Sequence, residues 1–114
     1  KGLLDGNVHR TTSKTVKDMT LKLAGFDKQE LADDLKKQGL TLSQRRDILE
    51  KKERDFIAEH VSVYAAKYDY VKNRTKVDSE REFFAECFAE YMMSDNPRKT
   101  AKIFGEIIET ALGR

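Results

Sequence analysis

The chain has few of the residues on which secreted, β-rich or membrane-spanning proteins depend. Cysteine occurs once among the 114 residues, so no intrachain disulfide can form and a secreted disulfide scaffold is excluded. Proline occurs once and glycine six times, which is too few for a many-turned β protein or a disordered linker. No apolar run approaches the roughly 18 residues that a membrane-spanning helix needs. We therefore expect a helical chain with no membrane span.

The charge of the chain is high in density but nearly balanced in sign. Charged residues make up 37% of the sequence, whereas the net charge is only +2. No glycine-rich phosphate loop and no basic segment interleaved with aromatic residues is present, so we expect no nucleotide or nucleic-acid partner. At this length the chain holds at most one core. We expect residues 1–114 to be a single helical domain or a fragment of a larger domain.

Hydrophobic periodicity predicts an all-α fold with about five helices packed on one core. Residues 1–12 show no sustained period and contain several turn formers, so they are predicted to be an arm or loop. The predicted helices span residues 13–24, 28–38, 42–68, 79–93 and 97–112. Gly25 and Gly39 are predicted to end the first two helices, and capping boxes at Asp27–Glu30 and Thr41–Gln44 to begin the second and third. Asp78 or Ser79 is the predicted N-cap of the fourth helix, and Asn96 followed by Pro97 begins the last one.

The large apolar residues that are in phase on the three longest predicted helices should form the core. Cys87 is interpreted as a small core residue, because no partner cysteine exists. Gly105 stands in the middle of a helix at a cost of about 1 kcal/mol relative to alanine, so we expect another backbone to approach it closely. The predicted core is Phe83, Phe84, Phe88, Phe56, Leu49, Val63, Phe104, Ile107 and Ile108.

The segment DSEREFFAECFAEY, residues 78–91, carries the most specific pattern in the chain. Glu82, Glu86 and Glu90 recur every four residues and so form a row on one helix face, beside a stripe of aromatic residues. Such a row costs about 0.2–0.5 kcal/mol per adjacent pair through like-charge repulsion. The row is interpreted either as a solvated helix face or as a metal-binding or catalytic carboxylate set beside a phenylalanine-rich core.

Two segments, SVYA (62–65) and EFFAECF (82–88), resemble the end of lethal-factor-like zinc metallopeptidase domains. Relatives of that family occur in bacterial toxins and in the C-terminal regions of minor head, or head-morphogenesis, proteins of tailed phages. Their pattern is a His-Glu-x-x-His helix, a spacer, a tyrosine and a Glu-Phe-Phe-Ala-Glu-x-Phe helix. The resemblance implies that this chain is the C-terminal portion of a zincin-like domain.

The resemblance also implies roles for individual side chains. Glu82 would be the third zinc ligand, and Glu86 would be a carboxylate that orients a ligand histidine. Tyr64 would be the tyrosine that stabilises the oxyanion, with Tyr68 or Tyr70 as substitutes because Tyr64 lies 18 residues before Glu82. A carboxylate one turn into a helix and backed by phenylalanines is a stiffly held ligand, which suits these roles.

A complete zinc site requires more than these residues. No His-Glu-x-x-His occurs, and His9 and His60 are the only histidines. His9 is interpreted as a surface residue, and His60 as a buried or half-buried residue satisfied by one hydrogen bond rather than as a metal ligand. Zinc catalysis needs about three protein ligands, an open position and a base. We therefore expect zinc only in a full-length parent, and neither tight zinc binding nor peptidase activity in this chain alone.

Three hypotheses for function follow. The favoured one is a non-catalytic helical segment of a phage minor head or metallopeptidase-like protein, found in the virion or host cytoplasm, which contributes the EFFAECF helix and packs on an upstream domain or a partner protein chain. The second is a portion of an active zinc metallopeptidase or toxin whose His-Glu-x-x-His helix lies upstream. The third is a helical protein-interaction module.

Overall fold

The computed structural model describes residues 13–67 and 76–113, which are all-α. This confirms the predicted fold class, and no strand occurs within those two ranges. The predicted arm, His9, Tyr68 and Tyr70 lie outside the described residues. The described helices are α1 (Ser13–Ala24), α2 (Lys28–Lys37), α3 (Leu42–His60), α4 (Val63–Lys67), α5 (Lys76–Met93) and α6 (Lys99–Ala111).

Helix α1 has the predicted bounds, and α2 ends at Lys37, one residue before its predicted end. Gly25 ends α1 with φ at +119°, and Gly39 follows α2 with φ at +74°, a region that side chains disfavour. The Asp27 carboxylate accepts the backbone N–H of Glu30 at 3.1 Å, which is one of the two bonds of the predicted capping box. At the start of α3, Thr41 and Gln44 exchange both bonds of a capping box.

The predicted helix over residues 42–68 is wrong, because the chain breaks after His60 and restarts at Val63. The Ser62 hydroxyl accepts the backbone N–H of Ala65 at 2.9 Å and so begins α4. The Val61 carbonyl, which helix α3 leaves free, accepts a bond of 2.6 Å from the Arg98 guanidinium. The bonds made by Ser62 and Arg98 do not alter the spacing of apolar residues along the chain. The hydrophobic period therefore continues through residues 61–62 and does not indicate the break in the helix.

The starts of α5 and α6 also differ from the predicted ones. Helix α5 begins at Lys76, which places Asp78 and Ser79 inside the helix instead of at its cap. Helix α6 begins two residues after Pro97, with Arg98 as an N-cap that offers no side-chain bond to the helix. The Arg98 side chain is instead engaged with groups outside α6, as described below.

The core lies where α1, α5 and α6 pack on one another, with the end of α3 and α4 against them. Helix α1 is therefore central rather than the short packing helix that its length suggests. Thr20 is fully buried there and donates its hydroxyl to the Val16 carbonyl at 2.7 Å, so the buried group is satisfied within its own helix. The buried cluster is Val16, Leu21, Ile57, Val61, Ala65, Ala66, Phe83, Cys87, Phe104 and Ile107.

Of the predicted core, Phe83, Phe104 and Ile107 are buried, as predicted, and Phe56, Phe84 and Ile108 pack against the cluster while partly buried. Phe88 and Val63 were assigned wrongly, since 43% and 74% of their surfaces are exposed. Leu49 is half-buried and lines a surface groove.

The buried faces of α3 and α5 differ in part from those that the pattern indicates. In α5 the innermost residues are Phe83 and Cys87, both predicted to be in the core, whereas Phe84 is partly buried and Phe88 is 43% exposed. In α3 the buried face includes Glu53, which is only 6% exposed. Its carboxylate lies 3.7 Å from Lys17 Nζ and 3.1 Å from Lys28 Nζ. Because glutamate is normally a surface residue, the hydrophobic pattern assigns this side of α3 to solvent. It therefore does not indicate that Glu53 is buried with two lysines.

Gly105 does permit a close approach, but not of the kind predicted. A Cβ at this position would overlap the ring of Tyr91, so an aromatic side chain of α5, not a second backbone, occupies the space above the glycine. The glycine therefore allows α5 and α6 to pack with Tyr91 between them.

Candidate functional site: the glutamate row of α5

The three carboxylates of the row are half-buried, and two of them are bound to other elements. Glu82, Glu86 and Glu90 lie on one side of α5 and differ in what they contact. Glu86 bonds Ser62 at the break between α3 and α4, and Glu90 bonds Arg98 in the loop before α6. The row is thus neither a solvated face nor, among the described residues, a cluster of converging carboxylates.

Glu86 is tied to the start of α4. Its Oε1 accepts the hydroxyl proton of Ser62 at 2.8 Å, while the Ser62 oxygen accepts the N–H of Ala65. The carboxylate therefore orients the hydroxyl that caps α4. This contact gives Glu86 a structural task at the start of α4, and its role in orienting a ligand histidine stays a prediction.

Glu90 and Arg98 form the most extensive polar contact among the described residues. The guanidinium approaches both carboxylate oxygens, with Nη2 at 2.6 Å from Oε1 and Nε at 3.2 Å from Oε2. The backbone N–H of Arg98 also donates to Oε2 at 2.6 Å. The same guanidinium donates to the carbonyls of Val61 at 2.6 Å and Glu59 at 3.4 Å. One arginine thus joins α5, the loop before α6 and the end of α3.

The electrostatics agree with this geometry. The bond from Arg98 lowers the pKa of Glu90 below its ordinary value, because the neighbouring cation favours the ionised carboxylate. The Glu90 carboxylate in turn raises the pKa of Arg98. Only 21% of the Glu90 side chain is exposed, so solvent screens this pair less than a surface pair.

Glu82 and Tyr64, the other residues of the predicted site, lie on different helices, α5 and α4. Glu82 is half-buried and makes no hydrogen bond or ion pair with the described residues. Tyr64 lies on α4 and is 49% exposed. Neither residue lines the grooves described for this chain, which surround α2 and α3. Their zinc-binding and oxyanion roles stay predictions.

His60 and Cys87, the remaining side chains with metal or nucleophilic chemistry, have ordinary packing roles. His60 is half-buried, as predicted, but its nearest polar contact among the described residues is Nε2 at 3.7 Å from Glu59, which is too long for the predicted hydrogen bond, and its ring centroid lies 4.3 Å from that of Phe56. Cys87 is 1% exposed, as predicted for a core residue, and burial raises the pKa of its thiol to about 12. A thiol with this pKa is a poor nucleophile at neutral pH.

A groove between α2 and α3 has a volume of about 480 Å³. Phe26, Leu31 and Phe56 line its apolar part. Most of its polar lining is acidic, with Lys52 as the basic residue. The acidic lining residues are Asp27, Glu30, Asp34, Asp55 and Glu59.

The described residues lack two features that indicate particular function classes. Within residues 13–67 and 76–113, no three side chains of the His, Cys, Asp or Glu type are grouped so that they could hold a metal ion. None of the helices in these ranges combines the length and apolar character of a membrane-spanning segment.

Sequence reasoning found the glutamates but missed their partners. Ser62 was read as part of a continuous helix, although a serine three residues before a helical N–H is an N-cap signal. Arg98 falls inside the predicted helix over residues 97–112, and the sequence pattern indicates no partner for its side chain. No local pattern indicates a contact between Arg98 and Val61, because the two are 37 residues apart in the chain.

Comparison with known proteins adds no relative: no family model, no curated protein and no solved structure matches the chain. The resemblance to zinc metallopeptidase domains therefore rests on the sequence motifs alone.

Proposed function

We propose that this chain is a non-catalytic helical interaction module in which the glutamate row of α5 maintains the fold and the opposite side of α5 binds protein. The observation that carries the proposal is the use of Glu86 and Glu90 in bonds to Ser62 and Arg98. These carboxylates hold the break between α3 and α4 in place. Both oxygens of Glu90 are bonded to Arg98, so metal binding by Glu90 would compete with those bonds, whereas Glu86 is bonded to Ser62 through Oε1 alone.

The proposed binding surface is the outward face of α5, defined as Arg81, Ala85, Phe88, Ala89 and Met92. All five residues are exposed, and Phe88 and Met92 leave 43% and 60% of their surfaces in solvent. Phe88 also stacks on Phe84 with ring centroids 6.3 Å apart, which holds it in a defined position. Exposed large apolar side chains next to one another are typical of protein-binding surfaces.

For the parent protein we propose the phage minor head or metallopeptidase-like origin that the motifs indicate, with location in the virion or host cytoplasm. Glu82 is the carboxylate of the row that has no bond to the described residues, so it is the one that a histidine helix from an upstream domain or partner chain would recruit toward zinc. In that arrangement Glu86 and Glu90 keep their structural bonds.

Thermal unfolding with and without zinc tests the proposal. We expect added zinc to leave the Tm of the chain unchanged, since a ligand shifts Tm only if it binds the folded state. We expect Glu86→Gln to lower Tm because the bond to the Ser62 hydroxyl weakens, and Ser62→Ala combined with Glu86→Gln to cost less than the sum of the two single changes.

The matched control is Glu50→Gln, which changes an exposed carboxylate that has no bond to the described residues. It should leave Tm nearly unchanged. A rise of Tm with zinc that Glu82→Gln removes and Glu50→Gln retains would contradict the proposal. Isothermal titration calorimetry showing a submicromolar zinc site would contradict it as well.

A further inference from the structure

We propose that the outward face of α5 binds the same face of a second copy of this chain, with the two α5 helices antiparallel. This inference rests on the proposed function, because it names the occupant of the protein-binding surface assigned there. It depends on the spacing, the size and the charge of the exposed residues of α5.

The spacing of the outward face is that of a helix-pairing seam. Arg81, Ala85, Phe88 and Met92 are separated by four, three and four residues, which is the spacing of alternate a and d positions in a coiled coil. All four are exposed, so the seam has no partner within the described chain. Phe83 and Cys87, which are 1% exposed, lie on the opposite side and anchor α5 to the core. The seam is therefore presented on a rigidly packed helix.

The sizes of the side chains favour antiparallel pairing. A two-fold axis midway between Ala85 and Phe88 places each phenylalanine opposite the alanine of the other copy, so a large side chain meets a small one twice. Ala89, one turn after Ala85, is also small and leaves further room beside the ring. Parallel pairing in register would instead place phenylalanine on phenylalanine and alanine on alanine. The face is thus complementary in shape to itself when it is reversed.

The charges at the ends of the seam favour the same orientation. The axis that pairs Ala85 with Phe88 also brings Arg81 opposite Met92 of the other copy, in the last turn of that α5 helix. The C-terminal end of a helix carries partial negative charge, and Asp95, which is exposed, adds a full negative charge just beyond it. In parallel pairing the two arginines would face each other. Antiparallel pairing therefore replaces the contact between two arginines by two contacts, each between Arg81 and the negative C-terminal end of the other α5 helix.

The small extent of the surface predicts a weak dimer. Each copy contributes two large apolar side chains, Phe88 and Met92, and two alanines, which falls below the roughly 800 Å² per partner of a standard stable interface. Interfaces at this end of the range associate reversibly, and those that depend on exposed charges weaken as salt rises. We expect dimer formation between micromolar and millimolar protein and a lower dimer fraction at high salt.

Sedimentation equilibrium on the 114-residue chain tests the contribution of charge. Arg81→Glu should weaken dimerisation by about tenfold, since it places an anion at the negative end of the partner helix twice per dimer. Arg81→Lys keeps the charge and should stay within about threefold of the wild type. The matched control is Arg46→Glu, an equal change of net charge at an exposed position of α3, which should also stay within about threefold.

The same measurement tests the fit of the side chains. Phe88→Ala should weaken dimerisation by about tenfold, because two alanines then face each other at both contacts. Adding Ala85→Phe exchanges the large and small positions and should restore the wild-type constant to within about threefold. Met93→Ser is the control, since Met93 lies outside the seam although 84% of its surface is exposed. It should leave the constant nearly unchanged.

A spin label at residue 93 measures the orientation. The label is attached to the Met93→Cys variant, in which the buried Cys87 is 1% exposed and protected from the reagent. In the antiparallel dimer the two labels lie about 13 residues apart along the helices, which is about 20 Å at 1.5 Å per residue. In a parallel dimer this separation along the helices vanishes and only the lateral separation remains, which is about 10 Å between the two helix axes. Pulsed electron spin resonance together with continuous-wave line broadening distinguishes the two distances.

The inference is overturned if the chain is monomeric at millimolar concentration and low salt. It is also overturned if the labels lie at the parallel distance, if Arg81→Glu has no more effect than Arg46→Glu, or if the exchanged pair, folded by circular dichroism, fails to recover association. If the chain is monomeric and zinc does not change its Tm, the proposed dimer is contradicted but the proposed function is not. Stabilisation by zinc through Glu82 contradicts the proposed function whatever the oligomeric state.

Discussion

Helix α2 with the first half of α3, and the pair α5 and α6, form in different ways. In α2 Leu35 is the buried residue, and the two buried residues of α3, Glu53 and Ile57, both lie in its second half. The ends of these helices are determined by bonds that span three residues, at Asp27 and Thr41. Substitutions in this region should therefore act locally.

Helices α5 and α6 bury much more, and their ends depend on distant groups. Phe83 and Phe104 are 1% and 0% exposed, and Phe104 meets Phe84 edge to face at 4.9 Å. Arg98, at the start of α6, bonds Glu90 and the Val61 carbonyl instead of capping its own helix. A change here should affect the whole fold, because each contact joins elements that are far apart in the chain.

The largest difference between the two regions should follow Phe104→Ala. Removing a fully buried phenylalanine costs about 3–5 kcal/mol, which is close to the whole stability of a small domain. Phe88→Ala is the matched control, because the same side chain at 43% exposure should cost about 1 kcal/mol. Urea unfolding measures both values. Equal losses would show that the buried face of α5 and α6 is assigned wrongly.

A smaller global effect should follow Arg98→Ala. This change leaves the Val61 carbonyl and the Glu90 carboxylate without their charged donor, at a cost of about 1–3 kcal/mol. Arg46→Ala, an exposed position on α3, should change the free energy of unfolding by less than about 0.5 kcal/mol. Urea midpoints compare the two. A loss no greater than that of Arg46→Ala would mean that the arginine contacts do not stabilise the break between α3 and α4.

The same contact should contribute to the pH dependence of stability. The pKa of Glu90 is lower in the folded chain than in the unfolded chain, because Arg98 bonds the ionised form. Its contribution is therefore present above the unfolded pKa, about 4.3–4.5, and is lost as the pH falls through the lower folded value. Urea unfolding between neutral pH and about pH 3 should show a shallower acid loss in Glu90→Gln than in the wild type. Parallel pH profiles would contradict the assignment.

The smallest effect should be that of Thr41→Ala in the locally capped region. Loss of the cap costs about 1 kcal/mol, and it should appear as faster amide exchange in the first turn of α3 with little change elsewhere. Ser43→Ala, in the same turn and exposed, is the control and should be nearly neutral. Hydrogen exchange followed by NMR measures both. Faster exchange throughout α5 and α6 would show that the two regions are not separable.

What the sequence predicted well are the features that few residues determine. The all-α class follows from composition and period, and α1 has the predicted bounds because Gly25 provides a local stop. The capping box of Thr41 and Gln44 was correct for the same reason. In the candidate site, the sequence identified the row Glu82, Glu86 and Glu90 from its four-residue spacing alone.

The tertiary structure decided which face of each helix is buried and what the glutamates bind. Glu53 is buried because Lys17 and Lys28 come to it from other helices, and the charges compensate one another. The break before Ser62 depends on Glu86 and Arg98, which supply hydrogen bonds from 24 and 37 residues away along the chain. Helix periodicity and local caps depend on neighbouring residues, so the sequence predicts them. The partner of a buried charge or of a free carbonyl depends on which segments the packed core brings together.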